Sequence, residues 1–297
     1  MTSTFVRACA AVLVLVATAT GCTDRPATGS VPGPVPGSVP EVTDTDRALL
    51  RHSEQVLIER CMRDKGFSYW AGPRPTSDES FTVGYLLTDA AWARRNGYGS
   101  RISAKVLGAR RTNPNLLYVD RLSPERRTAY RKALEGGPGS RTLSVRTPGG
   151  GTISRRLGGC QETAQKRLYG DPGTWFRVSR IATNLTPLYV PELSRDPEFT
   201  GAQAAWAACM REAGHPYATP SAARSALPTS GPEDRDFAAE VRLATAEAEC
   251  AASSGFARTG TALERRYVDG LRDTYGDELD AYARREHEAL VRARSLT

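Results

Sequence analysis

Histidine is scarce in this chain, and the spacings that would put it to work are missing. Only three histidines occur in 297 residues, so general acid–base chemistry would fall to carboxylates or tyrosines. His287, in Arg285-Glu-His-Glu-Ala-Leu-Val291, begins like a zinc-binding helix, but Val291 stands where the second histidine belongs. His52 has no partner at ligand spacing, and His215 follows a helix-ending glycine. No Gly-x-Ser-x-Gly elbow occurs, and Gly149-Gly150-Gly151 is not followed by the Gly-Lys-Ser/Thr of a phosphate loop. The cysteines lack the close Cys-x2-Cys pairs of zinc sites. Asp277, Glu278 and Asp280 read as a polar helical face. These absences leave no catalytic set, no metal site and no cofactor, and the chain is expected not to be an enzyme.

Long apolar runs are also lacking, with one exception at the start. Arg7 is followed by an apolar stretch from Ala8 to Ala19 and then by Thr20-Gly21-Cys22. About a dozen apolar residues behind a positive charge make a secretory signal, and they fall short of the roughly 20 needed to span a bilayer. Ala19-Thr20-Gly21-Cys22 resembles a bacterial lipobox, with Ala19 where Leu or Val is usual. The resemblance implies cleavage after residue 21 and acylation of Cys22 with palmitate-type chains. Two acyl chains anchor stably where one holds marginally, at about 0.8 kcal/mol per buried methylene. The tract Gly29-Ser-Val-Pro-Gly-Pro-Val-Pro-Gly-Ser-Val-Pro40 has no core-forming pattern. Proline at this density favours polyproline II, in which about 20 residues reach roughly 60 Å. Residues 22–44 are therefore expected to form a stalk.

Lysine is nearly absent: Lys65, Lys105, Lys132 and Lys166 stand against 36 arginines. The net charge of +7 conceals a sharp segregation. Residues 90–160 carry 13 Arg and 2 Lys against Asp120, Glu125 and Glu135 alone. Such a segment attracts anionic partners, unless it packs on the acidic remainder of its own chain. For an exported chain the partners would be anionic phospholipid or wall polymer, not nucleic acid. The candidate contact residues are Arg94, Arg95, Arg110, Arg111, Arg126 and Arg127.

Beyond Cys9 and Cys22, four cysteines remain, an even number that in an oxidising compartment reads as two disulfides. An internal repeat narrows the three possible pairings. Cys61-Met-Arg-Asp-Lys-Gly66-Phe-Ser-Tyr69 aligns without gaps to Cys209-Met-Arg-Glu-Ala-Gly214-His-Pro-Tyr217. Phe67 stands where His215 does, which argues against a Cys209–His215 catalytic dyad. Leu50, Leu57, Ile58 and Cys61 share a helical face, as do Ala202, Ala205, Trp206, Cys209 and Met210. Gly66 and Gly214 fall where a helix ends by turning left-handed. A second cysteine follows each copy on a helical segment, Cys160 and then Cys250, on a stripe with Ala239, Leu243 and Ala246. Pairing Cys61 with Cys160 and Cys209 with Cys250 keeps each bridge inside its repeat.

A long helical tract is expected after each second cysteine. Thr261-Ala-Leu-Glu264 has the form of a capping box opening a stripe of Val268, Leu271, Tyr275, Leu279, Tyr282 and Ala289, and residues 173–194, interrupted by Pro187 and Pro191, are its expected counterpart. The basic segment is an insertion present only in the first copy. Within it Ser123 and Pro124 start a helix that ends at Gly136-Gly137, and Thr142–Arg146 and Thr152–Arg155 flank a glycine turn as a short hairpin.

The lipobox, stalk, paired Cys-Met-x3-Gly-x2-Tyr units, the Ser-Pro-Glu-Arg-Arg helix and the Asp196-Pro197 stretch leading to Trp206-Ala-Ala-Cys209-Met210 together resemble uncharacterised secreted lipoproteins of actinomycetes such as Streptomyces. That resemblance implies an envelope location and no particular activity. The expected fold is mainly α: a disulfide-stapled helical domain of two related units with a small β-hairpin in an insertion of the first. The expected organisation is a signal peptide at 1–21, the lipidated stalk at 22–44, a first unit at 45–195 with its insertion at about 90–160, and a second unit at 196–297. The expected role is a binding or structural lipoprotein on the outer face of the bacterial cytoplasmic membrane. The alternatives are a wall-acting enzyme with an unidentified carboxylate site and a solute-binding lipoprotein of a transporter.

Overall fold

Apolar residues at helical spacing, closed by polar caps, make the protein mainly α, with a single two-stranded hairpin among the described residues. The computed structural model describes residues 42–227 and 236–296. The signal segment 1–21, Cys22 and the stalk up to residue 41 lie outside them. Helix α1 (Asp44–Asp64) opens on a capping box in which Thr43 accepts from the Asp46 N–H and Asp46 accepts from the Thr43 N–H. The chain then runs through α2 (Ser77–Ser80), α3 (Ala90–Asn96), α4 (Ser100–Arg111), α5 (Pro114–Asp120) and α6 (Pro124–Glu135). The hairpin β1 (Thr142–Arg146) and β2 (Thr152–Arg156) follows, with Ser144 paired to Ser154. Helices α7 (Gly159–Tyr169), α8 (Pro172–Ala182) and α9 (Thr186–Leu193) complete the first half. The second half holds α10 (Pro197–Glu212), α11 (Pro220–Ser225), α12 (Phe237–Ser253), α13 (Phe256–Asp269) and α14 (Arg272–Arg294).

The repeat is visible in the backbone. Gly66 and Gly214 adopt φ of 75° and 82°, and the residue after each donates its N–H back to the methionine of its helix: Phe67 to Met62 at 3.0 Å and His215 to Met210 at 2.7 Å. Both methionines are fully buried. A side chain at either glycine would meet open space, so glycine is required there by the left-handed backbone and not by crowding. The disulfides join Cys61 to Cys160 and Cys209 to Cys250, each with a Cα separation of 5.6 Å.

Two cores result. The first gathers Leu50, Ile58, Met62, Cys160 and Leu168 from α1 and α7, together with Tyr130 of α6 and Leu290 of α14. The second gathers Trp206, Met210, Leu243, Phe256 and Leu263 from α10, α12 and α13, together with Leu185 and Tyr189 at the start of and within α9. Elements cross between the halves: α14 packs against α1, α7 and α8, whereas α3, from the insertion, packs against α12.

Three local expectations are corrected. Thr261 does not start a helix, because α13 begins at Phe256 and Thr261 Oγ1 donates back to the Ala257 carbonyl at 3.0 Å. The long tract is two helices, parted at Gly270 and Leu271, and its counterpart at 173–194 is likewise divided into α8 and α9. Ala205 is exposed and Ala207 buried in its place, since the face of α10 is set by Trp206 and Met210.

Candidate functional site: the basic insertion

The near end of the insertion is fastened to the body. Asp89 caps α3 by accepting from the Trp92 N–H, and the Trp92 ring stacks on Phe81 with centroids 4.6 Å apart. Arg95 grips Asp78 with two hydrogen bonds of 3.1 and 2.9 Å, and those bonds hold the Asp78 carboxyl below its ordinary range. Arg94 pairs with Glu249 of α12 at 2.5 Å, and Lys105 pairs with Glu79. Of the six candidate contact arginines, Arg94 and Arg95 are therefore engaged by carboxylates of their own chain.

Behind α3 lies a group that the sequence reading missed. Glu240 and Glu247, seven residues apart on one face of α12, are fully buried. Glu247 accepts from the Leu87 N–H at 2.8 Å, from Arg224 at 2.6 Å and from the Tyr98 hydroxyl at 2.6 Å. Glu240 accepts from the N–H groups of Tyr98 at 2.7 Å and Ser100 at 3.2 Å, at the N-terminus of α4. A Cβ at Gly97 would lie 2.7 Å from Glu240 Cγ, so this close approach admits only glycine. Burial, reinforced by the Glu247 charge, drives the Tyr98 hydroxyl strongly upward in pKa. Donors of this chain occupy both Glu247 oxygens and Glu240 Oε1, so the pair fixes the Gly97–Ser100 turn and with it the direction in which α4 leaves the body. Isolated acidic residues on an alanine-rich helix give no sequence signal that separates this from a solvated face.

The far end behaves differently. Every residue from Lys105 to Thr112 is exposed, Arg110 and Arg111 included. Asn113 caps α5, and Asn115 clamps the backbone of Trp70, accepting from its N–H and donating to its carbonyl, each at 2.9 Å. Tyr118 of α5 lies edge-on to Trp70 at 5.8 Å and 5.9 Å from the Tyr130 ring. Ser123 and Pro124 open α6 as expected. Arg126 sits over the Phe67 ring at 4.6 Å and donates to the Gly66 carbonyl, while Arg127 donates to the carbonyls of Asp120 and Leu122. These neutral partners position the two arginines without cancelling their charge. The hairpin turns Leu143, Val145 and Ile153 partly inward and presents Ser144, Arg146, Ser154 and Arg156 outward.

Among the described residues, Arg94, Arg95 and Lys105 are the cations of residues 90–160 that lie within 4.0 Å of a carboxylate. The other twelve of its fifteen cations have no such partner. Among the described residues, pairing with carboxylates of the remainder therefore engages a minority of these cations.

Two concavities flank α1. A groove of about 410 Å³ beside the Cys61–Cys160 bridge is lined by Arg60, Lys65 and Arg167 against Asp64. A second, of about 270 Å³, is lined by Arg51, His52, Glu54, Gln55 and the Pro73–Pro75 segment. Burial pushes the Glu54 carboxyl up in pKa, opposed by a 3.0 Å hydrogen bond from the Gln165 amide. Glu54 is the one carboxylate in that lining, so no pair of facing acids forms there. Among the described residues no cluster of histidine, cysteine and carboxylate could hold a metal ion, and no helix is long and apolar enough to cross a membrane. Comparison with protein-family models, curated proteins and solved structures returns no match to this chain.

Proposed function

We propose that this protein is a lipoprotein of the bacterial cell envelope, anchored through Cys22 on the outer face of the cytoplasmic membrane, whose basic insertion binds an anionic surface without catalysing a reaction. The supporting observation is the division of charge within the insertion: α3 is neutralised by and fastened to the body, while twelve cations further along have no carboxylate partner among the described residues. Each Lys or Arg near an anionic membrane contributes about 1 kcal/mol, and the effect fades over a Debye length of about 8 Å at physiological salt. A tether raises the effective concentration of a second, weak contact, so anchor and insertion would reinforce one another.

The chain from Thr23 onward, which retains the whole compact unit Val39–Thr297, is expected to co-sediment with anionic vesicles or purified walls at low salt and to be released as salt rises. Charge reversal of Arg110, Arg111, Arg126 and Arg127 together is expected to abolish that binding. Unchanged binding by the fourfold variant would overturn the proposal.

A further inference from the structure

We infer that the turn joining α4 to α5 is a membrane-inserting tip whose ligand is the anionic phospholipid bilayer itself. This rests on the proposed reading of the insertion and narrows its partner. Among the described residues eight large hydrophobic side chains are exposed; Val106 at 43 % and Leu107 at 44 % lie on α4, Leu116 at 59 % and Leu117 at 46 % on α5, and Trp70 at 42 % is bound to α5 through Asn115. A cluster of this kind marks a contact surface. The charges next to it in the chain are cationic: residues 90–119 contain no Asp or Glu, and the exposed Arg110 and Arg111, without a carboxylate partner among the described residues, lie between the two apolar pairs in sequence.

Apolar residues beside arginine and lysine on short exposed helices match the boundary between acyl chains and phosphate headgroups, where binding grows with buried apolar area and with attraction to anionic lipid. The tip is also held in shape. Asn115 ties α5 to Trp70, and Tyr118 packs inward against Trp70 and Tyr130 while Leu116 and Leu117 point away. Trp70 thereby sits at the margin of the patch, the place an amphipathic indole takes at a membrane interface. A second copy of the chain is a poorer occupant: an isologous contact would bring these cations against themselves. A wall polymer would engage the charges and leave the leucines wet.

The test uses the chain from Thr23 and three surfaces: vesicles of equimolar phosphatidylglycerol and phosphatidylcholine, vesicles of phosphatidylcholine alone, and purified cell walls. The wild-type chain is expected to bind the anionic vesicles with a blue shift in tryptophan emission. Trp92 and Trp206 are already buried and Trp175 is stacked between Tyr169 and Tyr282, so the shift should vanish in Trp70→Phe while binding persists. Leu107→Ser with Leu117→Ser, both at exposed positions, should lower vesicle partitioning about tenfold and leave thermal stability and wall binding unchanged. Vesicle binding that is insensitive to this double variant, or that brings no emission shift, would overturn the insertion while leaving charge-based surface binding intact. Binding to walls but not to vesicles would do the same. Association of the chain with itself in the absence of lipid, abolished by the double variant, would overturn it in favour of a second copy. Failure of the wild type on all three surfaces would remove both readings.

Discussion

In the first cysteine-linked pair, α1 and α7 bury Leu50, Ile58, Met62 and Leu168 and leave Glu54 at the margin; in the second, α10 and α12 enclose Trp206 and Met210 together with two fully buried carboxylates. Each core is closed by an element from the other half of the chain, through apolar packing joined to directional bonds, and the two differ in where those bonds sit. Helix α14 closes the first through Ala289, Leu290 and Ala293, with Arg285 and Arg292 donating to the Tyr169 and Leu168 carbonyls at its rim and the buried Glu286 accepting from Arg47 and Tyr282. Helix α3 packs on α12 through Trp92, Ala93, Ala244 and Ala248, and the segments on either side of it add the directional bonds of Leu87, Tyr98 and Ser100 to Glu240 and Glu247, with Arg224 joining at Glu247. Apolar packing supplies burial with little orientation, whereas buried hydrogen bonds at fixed donors fix a geometry, here that of the Gly97–Ser100 turn. The second core is therefore the one that sets the exit angle of the basic insertion.

The largest expected effect comes from removing the bridges. On the chain-entropy model the Cys61–Cys160 link, spanning 99 positions, contributes about 4.7 kcal/mol and the Cys209–Cys250 link, spanning 41, about 3.9 kcal/mol. Urea unfolding of the two Cys→Ser double variants should show the first destabilised more. The reverse order would mean that the cores differ in strain or in residual unfolded structure by more than the loop lengths separate them.

Next comes Glu247→Ala, which strands the Arg224 guanidinium, the Leu87 N–H and the Tyr98 hydroxyl. A loss of about 3 kcal/mol is expected, at the low end for a broken buried ion pair because Arg224 is partly exposed. Hydrogen exchange should then rise first in α3 and the Gly97–Ser100 turn; protection lost evenly over both cores would dissolve the distinction between them. The smallest effect is a pH term in the first core. Glu54 has its pKa raised by burial above 4.5, so its neutral form stabilises the fold below the unfolded value and that contribution is lost as pH rises through the folded one. Glu54→Gln should match the wild type in Tm near pH 4 and exceed it slightly near pH 7. Equal values at both would place Glu54 in water.

What was legible in the sequence was local or repeated. The helix from Pro124, the hairpin around Gly149-Gly150-Gly151 and the left-handed Gly66 and Gly214 follow from caps, turns and chirality within a few residues. The disulfide pairing followed from the duplicated unit. Thr261 misled because Thr-x-x-Glu also occurs inside a helix, where the hydroxyl back-bonds to residue 257. Helices α4 and α5 leave Val106, Leu107, Leu116 and Leu117 exposed, so their apolar positions do not mark a buried face. The commitment of Arg94 and Arg95, and the burial of Glu240 and Glu247, depend on partners between 17 and 160 positions away, which no local pattern encodes.

The Cys61–Cys160 bridge closes a covalent ring that contains all of the insertion from residue 90 onward. An exposed dibasic pair such as Arg110-Arg111 is an easy target for trypsin-like proteases, yet one cut there would leave the two fragments joined through the bridge. Everything after the cut would stay attached to the N-terminal segment, and only reduction would reveal the nick. The staple thus insures the most exposed part of the molecule against the loss of the remainder.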